Sequence, residues 1–354
     1  MKERISAFTQ LGSIMGMLAR DSEWPGFAGG LAKDEFDSFG RIMDTHIHTN
    51  GWFTAANIRR ALHSWSVALT SENIENWLGS YPDSTDAKSR NVGIICAGNI
   101  PLVGFHDVLS VLITGNRALI KLSSSDNKLI PAILQILIKL DPTLENSFEF
   151  VEQKLEGYDA VIATGSNNTS RYFSYYFRDV PHIIRKSRTS VAILEGNESD
   201  AELALLGQDI FDYYGLGCRN VSKIYLPHGY NLDVFFNAIY PFHDIVNHNK
   251  YANNYDYNKA VWLLNQENLL DNGFILLKEE NRIASPTASL YYEYYTDKNE
   301  LMEKLDGVKS ELQCIVGHGN IPFGGAQSPM LWDYADGVDT IQFLVSLHKQ
   351  VAGR

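Results

Sequence analysis

Cysteine is scarce in this chain, and its three thiols exclude a disulfide framework. The 354 residues include three cysteines, Cys96, Cys218 and Cys314, and an odd number of cysteines cannot all form disulfide bonds within the chain. Thiols left unpaired in this way favour a reducing, cytoplasmic environment. Long hydrophobic runs are also lacking: no apolar run would span a bilayer, and residues 5–19 predict an amphipathic helix rather than a signal peptide.

Basic residues are fewer than acidic residues in this chain. Lys and Arg total 30 against 42 Asp and Glu, which gives a formal net charge of −12. Nucleic acids and anionic membranes attract basic surfaces, so this balance argues against either partner. The length and an ordinary hydrophobic content of 45% are sufficient for a large core and for two domains.

Residues 91–200 alternate short apolar segments with helix-like segments. Strands are predicted at 91–98, 117–122, 147–153, 159–166, 182–187 and 189–194, and helices at 103–112, 129–140 and 168–177. Such alternation is typical of a doubly wound α/β sheet, so this region predicts a dinucleotide-binding core. The G-x-G-x-x-G fingerprint is absent. Its nearest substitute is the turn at Gly165 and Ser166, because a helix that starts there would present N–H groups to phosphate.

A second mixed α/β region follows. Helices are predicted at 201–214, 231–239 and 298–304, strands at 222–226, 260–264, 273–277 and 288–295, and a polar loop at 249–260. The predicted domains are 1–198, with N-terminal helices and the dinucleotide-binding core, and 199–335, with the thiol nucleophile. A C-terminal helix in 336–354 is expected to pack back on the first domain.

Cys218 lies where a predicted helix meets a predicted strand. Gly215 and Gly217 precede it and allow a tight bend and close approach of a substrate. Arg219 follows it and adds a positive charge that favours thiolate over thiol. The segment therefore predicts a nucleophile, with a small buried cysteine at an element junction as the alternative. Cys96 and Cys314 have apolar neighbours and are predicted to be core residues.

Asp44, His46 and His48 form a D-x-H-x-H string that is typical of metal-dependent amidohydrolases. Histidines at i and i+2 share one face of a strand and so could bind one metal ion. However, residues 39–43 do not predict a strand, and no series of eight β/α units follows. A polar surface loop is the favoured interpretation, and a metal site is the alternative.

Five motifs in order resemble those of the aldehyde dehydrogenase superfamily. The resemblance is greatest to its acyl-CoA reductase branch, the family of the fatty-acyl reductase of bacterial luciferase systems. The motifs are AGNIPL at 97–102, GNRALIKLSSSD at 115–126, ATGS at 163–166, GLGCRN at 215–220 and PFGGAQS at 322–328. The resemblance implies an aldehyde dehydrogenase-like α/β fold with a Rossmann-like cofactor domain and an α/β catalytic domain.

The resemblance implies catalytic roles for Cys218 as nucleophile and Asn99 as a donor to the oxyanion. The superfamily's Glu-Leu-Gly-Gly motif corresponds here to 194–199, where an ungapped match puts Leu194, not Glu195, at the glutamate. Glu195 is kept as the acid–base candidate. An enzyme that activates water needs a well-placed base, whereas a thiolate is already nucleophilic, so this departure favours a thioester substrate.

The resemblance also implies a nicotinamide cofactor. Lys121 and Ser123 would bind near its adenosine ribose, and Gly165 and Ser166 its phosphates. Ser124 stands where NAD-using relatives often carry a glutamate that repels a 2′-phosphate. NADPH is therefore the predicted cofactor, with NADH as the alternative.

These features predict an NADPH-dependent acyl-CoA reductase that forms an aldehyde through an acyl group on Cys218. Acyl-CoA is the expected substrate, and the resemblance implies a homo-oligomer and a partner protein that transfers acyl groups. Two alternatives stay open. One is a metal-dependent amidohydrolase built on His46 and His48, and the other is a binding protein that keeps the fold without the chemistry.

Overall fold

The computed structural model describes residues 2–20, 23, 24, 26, 30–82 and 88–349. The chain divides into two compact units, residues 1–186 with 329–354 and residues 187–328. Within the described residues, no helix is both long and apolar enough to cross a membrane.

The first unit contains a five-stranded sheet of parallel strands, β1 (Asn91–Ile95), β2 (Arg117–Lys121), β3 (Phe148–Phe150), β4 (Ala160–Thr164) and β5 (His182–Arg185). Their order is β3-β2-β1-β4-β5, which is the order of the first five strands of a Rossmann sheet. The central strands are buried along most of their length, as expected of strands covered on both faces.

In the described part of the first unit, seven α-helices precede or connect these strands: α1 (Lys2–Arg20), α2 (Lys33–Thr45), α3 (Ala55–Ala68), α4 (Ser71–Leu78), α5 (Phe105–Ile113), α6 (Leu129–Leu140) and α7 (Asn167–Tyr176). Residues Phe8, Leu11 and Leu18 of α1 are fully buried, which confirms the amphipathic helix predicted at 5–19. Thr54 and Thr70 accept backbone hydrogen bonds at the starts of α3 and α4, as N-cap residues do.

The second unit contains a six-stranded sheet formed by β6 (Thr189–Ile193), β7 (Val221–Pro227), β8 (Leu270–Asp271), β9 (Leu276–Glu279), β10 (Ser289–Tyr295) and β11 (Leu312–Val316). Its order is β11-β6-β7-β10-β9-β8, and only the β8–β9 pair is antiparallel. Its helices are α8 (Asp200–Phe211), α9 (Leu232–Ile239), α10 (Asn249–Leu264) and α11 (Lys298–Gly307).

Two sequence predictions are wrong in this unit. Strand 189–194 was assigned to the first domain, but β6 pairs with β7 and β11, so 187–198 belongs to the second unit. Segment 249–264, predicted as a loop and a strand, is helix α10. Strand β11 was not predicted.

The C-terminal segment belongs to the first unit, where α12 (Thr340–Lys349) packs on α5. Arg185, at the end of β5, joins this segment to α5. Its guanidinium donates to Asp107 Oδ1 at 2.7 Å, to Thr340 Oγ1 at 2.9 Å and to the Ala335 carbonyl at 2.6 Å. Segment 329–335 therefore lies in the first unit and not, as predicted, in the catalytic domain.

Candidate active site

Three loops of the first unit meet at one edge of its sheet. They follow β1, β2 and β4, which are neighbours in the order β2-β1-β4, and all their carboxyl ends share that edge. The chain order reverses between β1 and β4. Open α/β sheets bind ligands outside the carboxyl ends of their strands at such a reversal.

Asn99 lies in the loop that follows β1, and its side chain is exposed. A Cβ at Gly98 would lie 2.5 Å from Ser123 Oγ, so the loop approaches the next loop as closely as only glycine permits. Leu102, at a φ of 59°, donates its N–H to Asp126 Oδ2 at 3.1 Å. These contacts fix the backbone on both sides of Asn99.

The loop after β2 carries the predicted ribose-binding residues. Lys121 ends β2, and its Nζ donates to the Gln153 carbonyl. Ser123 Oγ accepts the Ser125 N–H at 3.2 Å, and Ser124 is exposed. A lysine and neutral hydroxyls at a strand end are compatible with a ribose that carries a phosphate.

Ser166 is the N-cap of α7, and its Oγ accepts the Thr169 N–H at 3.2 Å. A Cβ on Gly165 would lie 3.1 Å from Thr169 Cβ and 3.0 Å from the Phe173 ring, so this turn packs tightly against the helix that it starts. The first-turn N–H groups of α7 and its positive dipole end suit a phosphate. Together with the strand order, this chemistry fits a dinucleotide.

Cys218 belongs to the second unit, where it is partly buried at the amino end of β7. The backbone before it bends sharply: Tyr213, Tyr214 and Gly215 have φ values of 53°, 59° and 74°. Non-glycine residues in this left-handed region are strained, and the surrounding contacts must hold them there.

Asn220 supplies several of those contacts. Its Oδ1 accepts the Gly217 N–H at 2.8 Å, and its Nδ2 donates to the carbonyls of Asp209 at 3.0 Å and Asp212 at 2.8 Å. Because it joins the residue before Cys218 to the end of α8, Asn220 fixes the nucleophile segment, residues 217–220. We did not identify this residue from the sequence.

Two further contacts hold the same segment. Buried Ser190, on β6, donates its hydroxyl to the Cys218 carbonyl at 2.9 Å. Arg219 donates its Nε to the Ala326 carbonyl at 2.7 Å, which ties the nucleophile segment to the Pro-Phe-Gly-Gly loop, residues 322–328. Ser190 was also missed, although a serine inside the apolar run 189–194 is a signal that could have been used.

The prediction that Glu195 acts at this site is not supported by the geometry. Ser190, beside Cys218, is at the amino end of β6, whereas Glu195 follows the carboxyl end of the same strand. Five extended residues span about 16 Å. Glu195 instead pairs with Lys298 and lies 3.5 Å from His318, and hydrogen bonding to Lys298 lowers the pKa of its carboxyl group.

The remaining thiols are core residues, as predicted. Cys96 and Cys314 are buried, and burial raises the pKa of the Cys96 thiol. None of the three cysteines, all in the described part of the chain, forms a disulfide. His106 lies near the start of α5. It contacts Trp77 and Tyr334, and its Nε2 is 2.8 Å from the Leu331 carbonyl.

The metal-site alternative is not supported. His46 and His48 occupy a 3₁₀ turn after α2 rather than a strand, so their side chains do not share a face. His46 is buried, with Nε2 3.7 Å from Asp126 Oδ1, whereas His48 and Asp44 are exposed. Among the described residues, no group of three or more His, Cys, Asp or Glu side chains is placed to hold a metal ion.

Comparison with solved structures defines the class of fold. Aldehyde dehydrogenase 21 from Physcomitrella patens, solved with succinate, superposes with a TM-score of 0.65 at 11% identity and covers 98% of this chain and 84% of that chain. The P. syringae indole-3-acetaldehyde dehydrogenase AldA, solved with NAD⁺, gives 0.59 at 12% identity, over 85% and 68% of the two chains. This chain has the aldehyde dehydrogenase fold, as predicted.

Comparison with sequences shows which enzymes part of the chain resembles. Residues 70–234 match the acyl-CoA reductase (LuxC) family model. The long-chain acyl-protein thioester reductase of Aliivibrio fischeri is 27% identical over 246 residues, which are 61% of this chain and 49% of that protein. The long-chain acyl-protein thioester reductase 2 of Photobacterium leiognathi is 25% identical over 168 residues, 43% and 34% of the two chains.

These matches confirm the predicted resemblance to the acyl-CoA reductase branch of the superfamily. The chain spans about half the length of the first curated relative and about a third of the second. The family match includes Asn99, Lys121, Gly165, Ser166 and Cys218.

Proposed function

We propose that the chain is an NADPH-dependent reductase that converts an acyl thioester into the aldehyde through an acyl group on Cys218. The observation that carries the proposal is the nucleophile segment, in which a partly buried thiol comes just after a strained turn and is held in place by Asn220 and Ser190. The match of residues 70–234 to the acyl-CoA reductase family supports the choice of substrate class.

The proposed reaction begins when the Cys218 thiolate attacks the acyl carbonyl of a thioester. The resulting oxyanion accepts hydrogen bonds from the Cys218 backbone N–H and the Asn99 side-chain amide. The donor thiol leaves, and the acyl group remains on Cys218. Loss of one donor to an oxyanion typically raises the barrier by about 3 kcal/mol, so Asn99→Ala should slow acylation about a hundredfold.

No general base is assigned to Glu195 in this scheme, because it lies at the opposite end of β6 from Cys218. Exchange of an acyl group between thiols needs little help from a base, since a thiolate is already nucleophilic. Hydrolysis would require an activated water. The geometry of the second unit thus favours a thioester substrate over oxidation of an aldehyde to an acid.

In this proposal the cofactor is held at the carboxyl edge of the first unit's sheet. Lys121 and Ser123 bind near its ribose, and Gly165 and Ser166 form the turn that receives its phosphates. When bound, the nicotinamide supplies the hydride that reduces the acyl group. Neutral Ser124 accepts a 2′-phosphate that a glutamate would repel, so NADPH is the proposed cofactor.

The acyl donor is a thioester of either coenzyme A or a protein. The family model is described as an acyl-CoA reductase, and the curated relatives are named acyl-protein thioester reductases. We retain acyl-CoA as the proposed substrate, with a partner protein as an alternative source of the acyl group. A cytoplasmic location and a homo-oligomer stay predictions from the sequence.

The test is NADPH oxidation with a panel of acyl-CoAs, with CoA release followed in parallel. Cys218→Ala should abolish both signals, and Cys96→Ala, which removes a buried thiol, serves as the control. CoA release without NADPH oxidation would indicate an acyltransferase, and cofactor binding without either signal would indicate the inactive binding protein.

A further inference from the structure

Asp209, on α8, is fully buried and ionisable, and neither the sequence motifs nor the proposed reaction assigns it a role. Its two carboxylate oxygens accept separate hydrogen bonds from loop 322–328. Oδ2 accepts the Gly324 N–H at 2.7 Å, and Oδ1 accepts the Ala326 N–H at 3.0 Å. An ionised carboxylate has only hydrogen-bond acceptors, so both of its oxygens can accept from backbone N–H groups. An amide or a protonated carboxyl group would instead direct a donor at one of these N–H groups.

The loop that Asp209 holds is bonded in turn to the nucleophile segment. The carbonyl of Ala326 accepts the Arg219 Nε–H at 2.7 Å. The backbone carbonyl of Asp209 itself accepts from Asn220 Nδ2 at 3.0 Å. Both partners directly follow Cys218, so Asp209 is connected to the nucleophile segment by its side chain through the loop and by its main chain through Asn220.

We propose that Asp209 is a positioning residue for Cys218. Its carboxylate fixes loop 322–328 through the Gly324 and Ala326 N–H groups, and that loop fixes the nucleophile segment through Arg219. The consequence for catalysis rests on the proposed function, but the coupling of the two segments does not. Asp209 has no direct contact with a substrate in this role.

The ionisation of Asp209 gives the coupling a pH dependence. The pKa of this carboxyl group is raised to about 6: burial raises it most, the Gly324 and Ala326 N–H groups lower it, and the nearby Asp212 carboxylate raises it. Two charged groups flank it, Asp212 at the end of the same helix and Arg219 beyond the Ala326 peptide. Because the pKa in the folded chain lies above the ordinary value of 3.8, an opening that exposes Asp209 to water should become less favourable as the pH falls through about 6.

The variant Asp209→Asn tests the proposal, because it keeps the size of the side chain but directs an NH₂ group at a backbone donor. Hydrogen exchange should be followed by mass spectrometry on peptides that contain 322–328 and 217–220. Loss of a charge-assisted hydrogen bond should speed exchange about tenfold or more in both segments. Asp256→Asn, an exposed carboxylate on α10 of the same unit, is the matched control and should change neither.

The proposal is overturned if exchange rises in 322–328 alone, since the loop would then be independent of the nucleophile segment, or if it rises in neither. If Asp209→Asn does not fold, the wild-type chain provides the same test. Both segments should gain protection together as the pH falls through about 6, after correction for intrinsic rates, and a gain in only one segment or in neither would overturn the proposal.

Turnover separates this inference from the proposed function. If the chain reduces acyl-CoA, Asp209→Asn should lower kcat about tenfold with the KM for NADPH unchanged, because the cofactor is held by the first unit. If the wild-type chain shows no turnover, the proposed reductase function is refuted. The hydrogen-exchange result then still tests whether Asp209 couples loop 322–328 to the nucleophile segment.

Discussion

Replacing Ser190 with alanine removes a buried hydroxyl that contacts two backbone groups. Its Oγ donates to the Cys218 carbonyl at 2.9 Å and accepts the Cys314 N–H at 3.2 Å. A buried polar group that loses its partner costs about 1–3 kcal/mol. The Cys314 N–H is buried, so the loss of its acceptor carries the full cost of an unpaired buried group. The carbonyl of the partly buried Cys218 can bond to water instead and costs less. The free energy of unfolding should therefore fall by about 2–4 kcal/mol.

The measurement is urea unfolding of Ser190→Ala beside Ser310→Ala, which removes an exposed hydroxyl in the same unit. The control should stay within about 0.5 kcal/mol of the wild-type value. If Ser190→Ala is as stable as Ser310→Ala, the hydrogen bonds of Ser190 do not fix the segment that carries Cys218, and this account of the nucleophile segment is refuted.

Three other changes should give distinct results. Glu195→Gln should leave acyl thioester reduction within about twofold of wild type, because the carboxylate lies about 16 Å along β6 from Cys218; a hundredfold loss would restore Glu195 as a catalytic group. Asp209→Asn removes a carboxyl whose pKa rises from 3.8 unfolded to about 6 folded, so ionisation costs stability. The wild type should lose about 1–2 kcal/mol relative to the variant between pH 5 and 8 in urea unfolding, and a constant difference would contradict the raised pKa. Arg185→Ala leaves the Asp107 carboxylate buried without its cation and should cost about 3–5 kcal/mol; a thermal melt unchanged from wild type would contradict this.

Much of the fold was predictable because local signals and tertiary packing agree. β1 and β2 are short apolar strands with buried centres, and Thr70 caps the start of α4 with a hydrogen bond to a residue three positions further on. The glycines around Leu216 correctly marked a sharp turn before Cys218. These features depend on residues close together in sequence, so sequence patterns detect them.

Helix α10 was not predicted because three of the four residues on its buried face, two tyrosines and an asparagine, carry polar groups. Tyr251, Tyr255, Asn258 and Trp262 recur at spacings of four, three and four and are all buried. The Tyr251 hydroxyl donates to the Phe274 carbonyl at 2.9 Å, so the ring packs in the core while its polar end is satisfied. A count of apolar residues that includes tyrosine would have shown the helical period.

The misplacement of Glu195 has a different cause. An ungapped match to the Glu-Leu-Gly-Gly motif compares residues along the chain, but the direction of β6 decides which end of the strand lies beside Cys218. That direction is set by pairing with β7 and β11, which are distant in sequence. Ser190 was missed for the same reason, since its partners Cys218 and Cys314 are brought near only by the sheet. Asn220 bonds locally to Gly217, Asp209 and Asp212, and its role depends on the bend of the chain between them.

The most direct test of the reductase proposal is a single-turnover experiment with acyl-CoA in the absence of NADPH. Mass spectrometry should find one acyl group on the peptide that contains Cys218, and addition of NADPH should discharge it as aldehyde. Acyl-CoA consumed with no label on Cys218, or a label that NADPH does not discharge, would contradict the proposed function.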